Sequence, residues 1–452
     1  MNPEFERNLW LELTPRRLMT MAILLALVFF AAALSGDADY GPAFGARWLY
    51  YAIVVAWGAR NAAMSVVGEI RERTWDLQRL SSLDPSRMVW GKLFGATSYN
   101  WFGGAICLAV IASDAGVHQG VLTALIDIVY LVAIGVIAQA AALLASLIAI
   151  RRRQTLSRLS TFLHQMVGIA AAVAVFAVWS IADPAGSILT HKPPADFVVW
   201  WGVSLDARAF LLVSLAIFAV WTLVACYRAM RLELKMRNGP FVWLGFLAFI
   251  GLYVAGFDAW LPKDPSVAGW DAAALRLGLA ATTFGTLAYI MVVLEPKDRV
   301  LYRRLGNLIA SGRIGVALGG FQAWMMSYAA TAIIAVVTIV WLEHLHMPSG
   351  QIALIVALLG FLTRDTAVFV AMQTLPGRRR GDYAALGILF ALYILAPAIC
   401  RGLGLDGAMV LFFAKNSAPA WLGAAVAWAE GLAVAAFAAG RLALTERSVK
   451  AA

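Results

Sequence analysis

The stretch Gly68-Glu69-Ile70-Arg71-Glu72-Arg73-Thr74-Trp75-Asp76-Leu77-Gln78-Arg79-Leu80-Ser81-Ser82-Leu83-Asp84-Pro85-Ser86-Arg87-Met88-Val89-Trp90-Gly91-Lys92 is polar and lies between two long apolar runs. Its first part has good helix formers, no Pro or Gly from Glu69 to Leu83, and leucines at Leu77, Leu80 and Leu83. That pattern predicts a short charged helix. Asp84-Pro85 ends it and starts the next, with Asp84 as N-cap and Pro85 at the first helical position. The run that follows is apolar enough to cross a membrane. A charged helix between two spans lies along the membrane surface, where it can meet a soluble partner.

The rest of the chain agrees. Of 452 residues, 62% are hydrophobic, and the mean hydropathy is +0.78. The fold class expected is all-α and polytopic. Successive spans fall at 18–34, 48–67, 89–112, 121–150, 162–181, 209–227, 241–257, 272–294, 314–342, 352–375, 383–400 and 421–440. The segment from Pro3 to Arg17 sets Phe5, Leu9, Trp10 and Leu13 among charges and reads as an amphipathic helix at the interface. Twelve spans put both termini on one side. With that side cytoplasmic, inner segments hold 28 of the 36 basic residues and outer ones 7. This bias fixes the orientation, places the polar stretch inside, and explains the net charge of +10 without nucleic acid.

An internal repeat is visible at a shift of 226 residues, which sets Glu69 on Glu295, Glu72 on Asp298, Arg73 on Arg299 and Arg87 on Arg313. Arg151-Arg152-Arg153 answers Arg378-Arg379-Arg380 at nearly the same shift. Two halves follow, 1–238 and 239–452, each with an interfacial helix and six spans.

The polar stretch resembles the permease subunits of type 2 ATP-binding-cassette (ABC) exporters. The matching residues are Glu69 or Glu72 at the end of the second span, Thr74, Leu77 and Leu80 in a Thr-x-x-Leu-x-x-Leu core, then Pro85-Ser86-Arg87 and Gly91-Lys92. In detail the likeness covers about thirty residues. It implies a coupling helix, here Glu69, Glu72, Arg73, Thr74, Trp75, Leu77, Leu80 and Arg87, with a degenerate second copy at Asp298, Arg299 and Tyr302. It implies cytoplasmic ABC ATPase partners, two copies or two kinds, and a bacterial-type inner membrane. The first stretch is expected to carry more of the coupling, with Trp75 as its anchor on the ATPase.

No phosphate-binding loop is present. The one Gly-Lys pair, Gly91-Lys92, lacks the upstream glycine spacing, so ATP and Mg are expected on the partner, this chain carries no cofactor, and no catalytic residue is expected in it. Cys107, Cys226 and Cys400 lie far apart in apolar runs and suggest neither disulfide nor metal. His344 and His346 stand two apart, off one helix face, so no metal site is expected there. Arg364, Asp365 and Glu430 are charges within spans, where each is costly. They either line a polar path or lock helices together, with Glu430 the best partner for Arg364. An ion- or proton-coupled secondary transporter with internal repeats is the alternative function. The substrate is not legible. The outer segment between the fifth and sixth spans, with Trp200-Trp201, is expected to hold a short re-entrant or outward-lying helix.

Overall fold

The computed structural model describes residues 2–34, 41–80, 83–118, 120–151, 158–180, 195–260, 271–297, 299–374, 381–414 and 420–450. The protein is all-α and polytopic. Among the described residues, ten helices are long and apolar enough to cross a membrane. The chain divides into two compact units, one of residues 1–199 and 203–238, the other of 200–202 and 239–452.

The first unit begins with α1 (Pro3–Glu12), α2 (Pro15–Leu34) and α3 (Pro42–Tyr50). A π-helical segment, Tyr51–Trp57, runs without a break into α4 (Gly58–Arg71). Then come α5 (Trp75–Leu80), α6 (Pro85–Trp90), a π segment Gly91–Gly95, α7 (Ser98–His118), α8 (Val121–Arg151) and α9 (Arg158–Trp179). A hairpin of β1 (Phe197–Trp200) and β2 (Val203–Asp206) precedes α10 (Ala207–Glu233). The second unit holds α11 (Phe241–Ala255), α12 (Ala272–Leu294), α13 (Arg299–Ala310), α14 (Ile314–Leu318), α15 (Ala323–His344) and α16 (Ser349–Thr374). It ends with α17 (Gly381–Phe390), a π segment Ala391–Leu395, α18 (Ala396–Gly402) and α19 (Ala420–Lys450).

Three expectations change. The charged helix is interrupted. Helix α4 runs on to Arg71, and the chain turns through Arg73, at φ 60°, before α5 begins. The Thr74 N–H returns to Glu69 O at 2.9 Å and the Arg73 N–H to Ile70 O at 3.2 Å, a Schellman-type stop. Glu69 and Glu72 therefore belong to the end of α4 and its cap, not to α5. The third and ninth stretches are also each two pieces. A short helix, α6 or α14, precedes a break at Ala96-Thr97 or Gly319–Gln322, and the long helix starts beyond it. In the second unit the Glu295 carboxylate accepts from the Ala323 and Trp324 N–H groups at 3.1 and 3.2 Å, capping α15 from another element. Finally, the described part of the segment before α10 is a hairpin rather than a helix. Trp201 and Gly202, both at positive φ (51° and 75°), make its two-residue turn.

The core of the first unit is built on the π segment. Widening the helix loosens the carbonyl ladder, and in a bilayer only protein groups can add bonds to it. Side-chain amides fill that role: Asn100 Nδ2 donates to Ile53 O at 2.9 Å, Gln139 Nε2 to Val54 O at 3.0 Å and Gln165 Nε2 to Ala56 O at 3.0 Å. Gln139 Oε1 in turn accepts from Thr97 Oγ1 and Trp101 Nε1, each at 3.0 Å.

Candidate functional site

Two clusters of charge stand out, one in each unit. The first surrounds Lys92. Its ammonium is fully buried, where a lone charge is not tolerated, and two carboxylates answer it. Lys92 Nζ donates to Glu69 and, at 3.2 Å, to Glu4 Oε1. Arg7 bridges the same two acids, at 2.7 Å from Glu69 and 2.9 Å from Glu4. Burial pulls the Arg7 pKa down, but the hydrogen bonds and charges of Glu69 and Glu4 outweigh it and leave it raised. Gln78 Nε2 donates to Glu69 at 2.5 Å, and Lys92 Nζ sits 5.2 Å from the Trp75 ring centroid. Thus α1, the end of α4, α5 and the start of the third span meet at one ammonium group.

Close backbone approach makes this contact possible. A Cβ on Gly91 would lie 2.6 Å from Glu4 Cγ and 2.9 Å from the Phe5 nitrogen, and one on Gly95 would lie 2.9 Å from Asn8 Cβ. The two glycines, four apart, form the floor on which α1 rests. Asn8 Nδ2 and Asn2 Nδ2 close the seam onto Gly91 O at 3.1 Å and Arg87 O at 2.7 Å. Below it, Asp84 caps α6. Hydrogen bonds from the Ser86 hydroxyl and amide hold its carboxyl below the usual range.

Trp75 does not face outward as the anchor role requires. It is 4% exposed and packs with Val66, Met88, Leu93 and Leu143. An apolar indole between a span end and a re-entering helix is drawn into the core rather than left in water. The exposed residues of α5 are Asp76, Leu77, at 71%, and Leu80, at 85%, and the two leucines, three apart, share one face. Thr74, Glu72, Arg73 and Arg87 are also exposed. Arg79 turns inward to Glu233 of α10 at 3.9 Å.

The second copy is built differently. Asp298 lies outside the described residues. Helix α13, which starts at Arg299, has twelve residues against six in α5. Tyr302 is half-buried, its hydroxyl donating to Gln322 Oε1 at 3.2 Å, and Gln322 Nε2 reaches Pro296 O at 2.7 Å. Lys297 pairs with Asp382 at 2.8 Å.

The second cluster centres on Arg364 in α16. Its Nε meets Asp365 Oδ1 and its Nη1 meets Glu430 Oε2 of α19, both at 2.9 Å. Asp365 Oδ2 also accepts from Tyr289 at 2.7 Å and Tyr393 at 2.6 Å. The guanidinium lies over the rings of Phe361 and Tyr393, 4.8 and 5.0 Å from their centroids. Gly431 lets the helices close, since a Cβ there would stand 3.1 Å from the Arg364 nitrogen. Asp365 is buried with three donors, whereas the Glu430 side chain is 42% exposed with one. Asp365→Asn should therefore destabilise the protein more than Glu430→Gln does. A double-mutant cycle of Arg364→Gln with Glu430→Gln should give a coupling energy of about 0.5–1.5 kcal/mol in thermal unfolding. Strict additivity would show that the 2.9 Å contact does not persist in the bilayer.

Lys92 and Glu4 did not stand out as partners in sequence, although a lysine at the start of an apolar run and an acid in an amphipathic helix are both visible there. Tyr289 and Tyr393 gave no signal at all. The span amides Asn100 and Gln165 could have been noticed as polar residues inside apolar runs. Among the described residues no group of three metal-ligating side chains occurs. No family model, curated protein or solved structure matches the chain.

Proposed function

We propose that this chain is the permease of an ATP-driven exporter of the type 2 ABC kind, with both permease halves in one polypeptide. One observation carries the reading. Helix α5 leaves Leu77 and Leu80 bare while Trp75 and Gln78 root it in the Lys92 network. A loop helix with no partner gains nothing by exposing two leucines on one face, whereas a groove on a soluble subunit would cover them. Two cytoplasmic ATPase subunits, binding ATP and Mg, would press on α5 and α13. The ion network would pass that push to α1, α4 and the third span as one body. The chain supplies path and lever, and no bond chemistry. The excess of basic residues in alternate loops favours cytoplasmic termini in a bacterial-type inner membrane.

The Arg364 cluster favours a second reading, a secondary transporter driven by an ion or proton gradient. Co-purification of the full chain with an ABC ATPase subunit from the same cells separates the two. Leu77→Ala with Leu80→Ala should strip the ATPase from the complex while the chain stays monodisperse. ATPase retained undiminished by that variant would remove α5 as the docking element. Transport driven by an imposed ion gradient with no ATPase present would favour the second reading.

A further inference from the structure

An open groove of about 670 Å³ runs along α13, with Val300, Arg303, Arg304, Asn307, Ser311 and Arg313 among its walls. At 3.6 residues per turn the first five fall within about 100° of arc, and Tyr302 and Leu305 lie on the opposite side of the helix. That opposite side is the one the protein holds. Leu305 is buried, a Cβ on Gly320 would stand 3.0 Å from its Cδ2, and the Tyr302 hydroxyl is bonded to Gln322, the N-cap of α15. Arg313 joins the groove through the turn at Gly312, at φ 72°, where the Arg313 N–H returns to Leu308 O at 2.9 Å.

Among the described residues lining the groove there are three arginines and no acid. Arg304 and Arg313 are exposed and Arg303 is half-buried, and none of the three side chains has a hydrogen-bond or ion-pair partner among the described residues. Arg299 and Arg303 stand four apart in a helix without a carboxylate, an arrangement that weakens it by like-charge repulsion. A cationic face held at that cost matches an anionic partner. A helix lying on lipid would turn its apolar side to the acyl chains. Here that side meets α14 and the start of α15, and the arginines turn away from the span, where a soluble subunit reaches them. We propose that this groove receives an acidic segment of the ATPase subunit, with carboxylates on Arg303, Arg304 and Arg313 and an apolar side chain on Val300, which is 68% exposed. The inference rests on the ATPase reading above. It makes the two docking contacts chemically different, leucines on α5 and guanidinium groups on α13.

The test immobilises the full chain in detergent and titrates it with the purified ABC ATPase subunit from the same cells at rising salt. Wild-type affinity should fall as salt rises. The triple variant Arg303→Gln, Arg304→Gln, Arg313→Gln should bind about tenfold more weakly at low salt, the sum of three exposed ion pairs, and should keep little of the salt dependence. The matching triple change to Lys should keep most of the affinity, because it keeps the charge. Wild-type binding that ignores salt would overturn the proposal. So would a Gln variant that matches wild type in affinity and salt response while Leu77→Ala with Leu80→Ala still strips the ATPase, and that result would leave the ATPase reading standing. An ATPase that does not bind the wild type would remove that reading and this inference with it. A Gln variant that loses binding to phosphatidylglycerol vesicles but holds the ATPase like wild type would overturn the acidic partner and give the groove to lipid. Should the triple Gln variant not purify as a single species, Arg304→Gln alone decides, with an expected loss of about threefold.

Discussion

Lys92→Met should destabilise the first unit by about 3–5 kcal/mol, the usual result of removing one partner from a buried ion pair. The ammonium is fully buried and answers Glu4 and Glu69 together, so its loss leaves two acids at one spot with only Arg7 between them. The methionine keeps the bulk of the stem, so the effect reads the charge and not a cavity. Denaturant unfolding in detergent measures it. Glu4→Gln should cost less, because Glu69 still faces the lysine. The two substitutions together should cost less than their sum. A Lys92→Met protein within about 0.5 kcal/mol of wild type, the range of ordinary surface changes, would mean the network is ornamental.

Trp75→Ala should cost about 3–5 kcal/mol, as for a large aromatic cut from a packed core. The side chain fills the space among Val66, Met88, Leu93 and Leu143 and supports the lysine above it. Leu77→Ala and Leu80→Ala should each change stability by less than about 0.5 kcal/mol, since exposed side chains lose little packing. Thermal unfolding of all three variants, beside their retention of the ATPase, separates a residue that holds α5 in place from residues that present it. A stable Trp75→Ala protein that fails only in complex formation would restore the outward role expected of it.

Much of the architecture was legible because a bilayer leaves few choices. Long apolar runs had to be helices, and Asp84-Pro85 had to start one. The compact units part between Asn238 and Gly239, with Trp200–Gly202 grouped in the second unit. What the sequence hid was direction. Trp75 and Leu77 both look like contact residues on a short helix. Which one turns inward depends on the left-handed turn at Arg73, and an arginine does not announce that conformation as a glycine would. The Arg364 cluster was half legible. Charges in a span demand partners, and Glu430 was the acid available on another helix. The two tyrosines that complete Asp365 sit on α12 and in the π segment at Ala391–Leu395, and no local pattern marks them.

That π segment and the one at Gly91–Gly95 hold Tyr393 and Lys92, members of the two charge clusters. Each segment adds slack to the helix, one residue more per turn than its flanks can use. Losing a residue elsewhere in a helix swings everything beyond it by about 100°. Within these two turns a loss is absorbed by tightening, and the flanking faces keep their bearings. With Tyr51–Trp57, they are positions in the helical framework where chain length can drift while the packing on either side stays in register, and in these two the turn carries a member of a charge cluster.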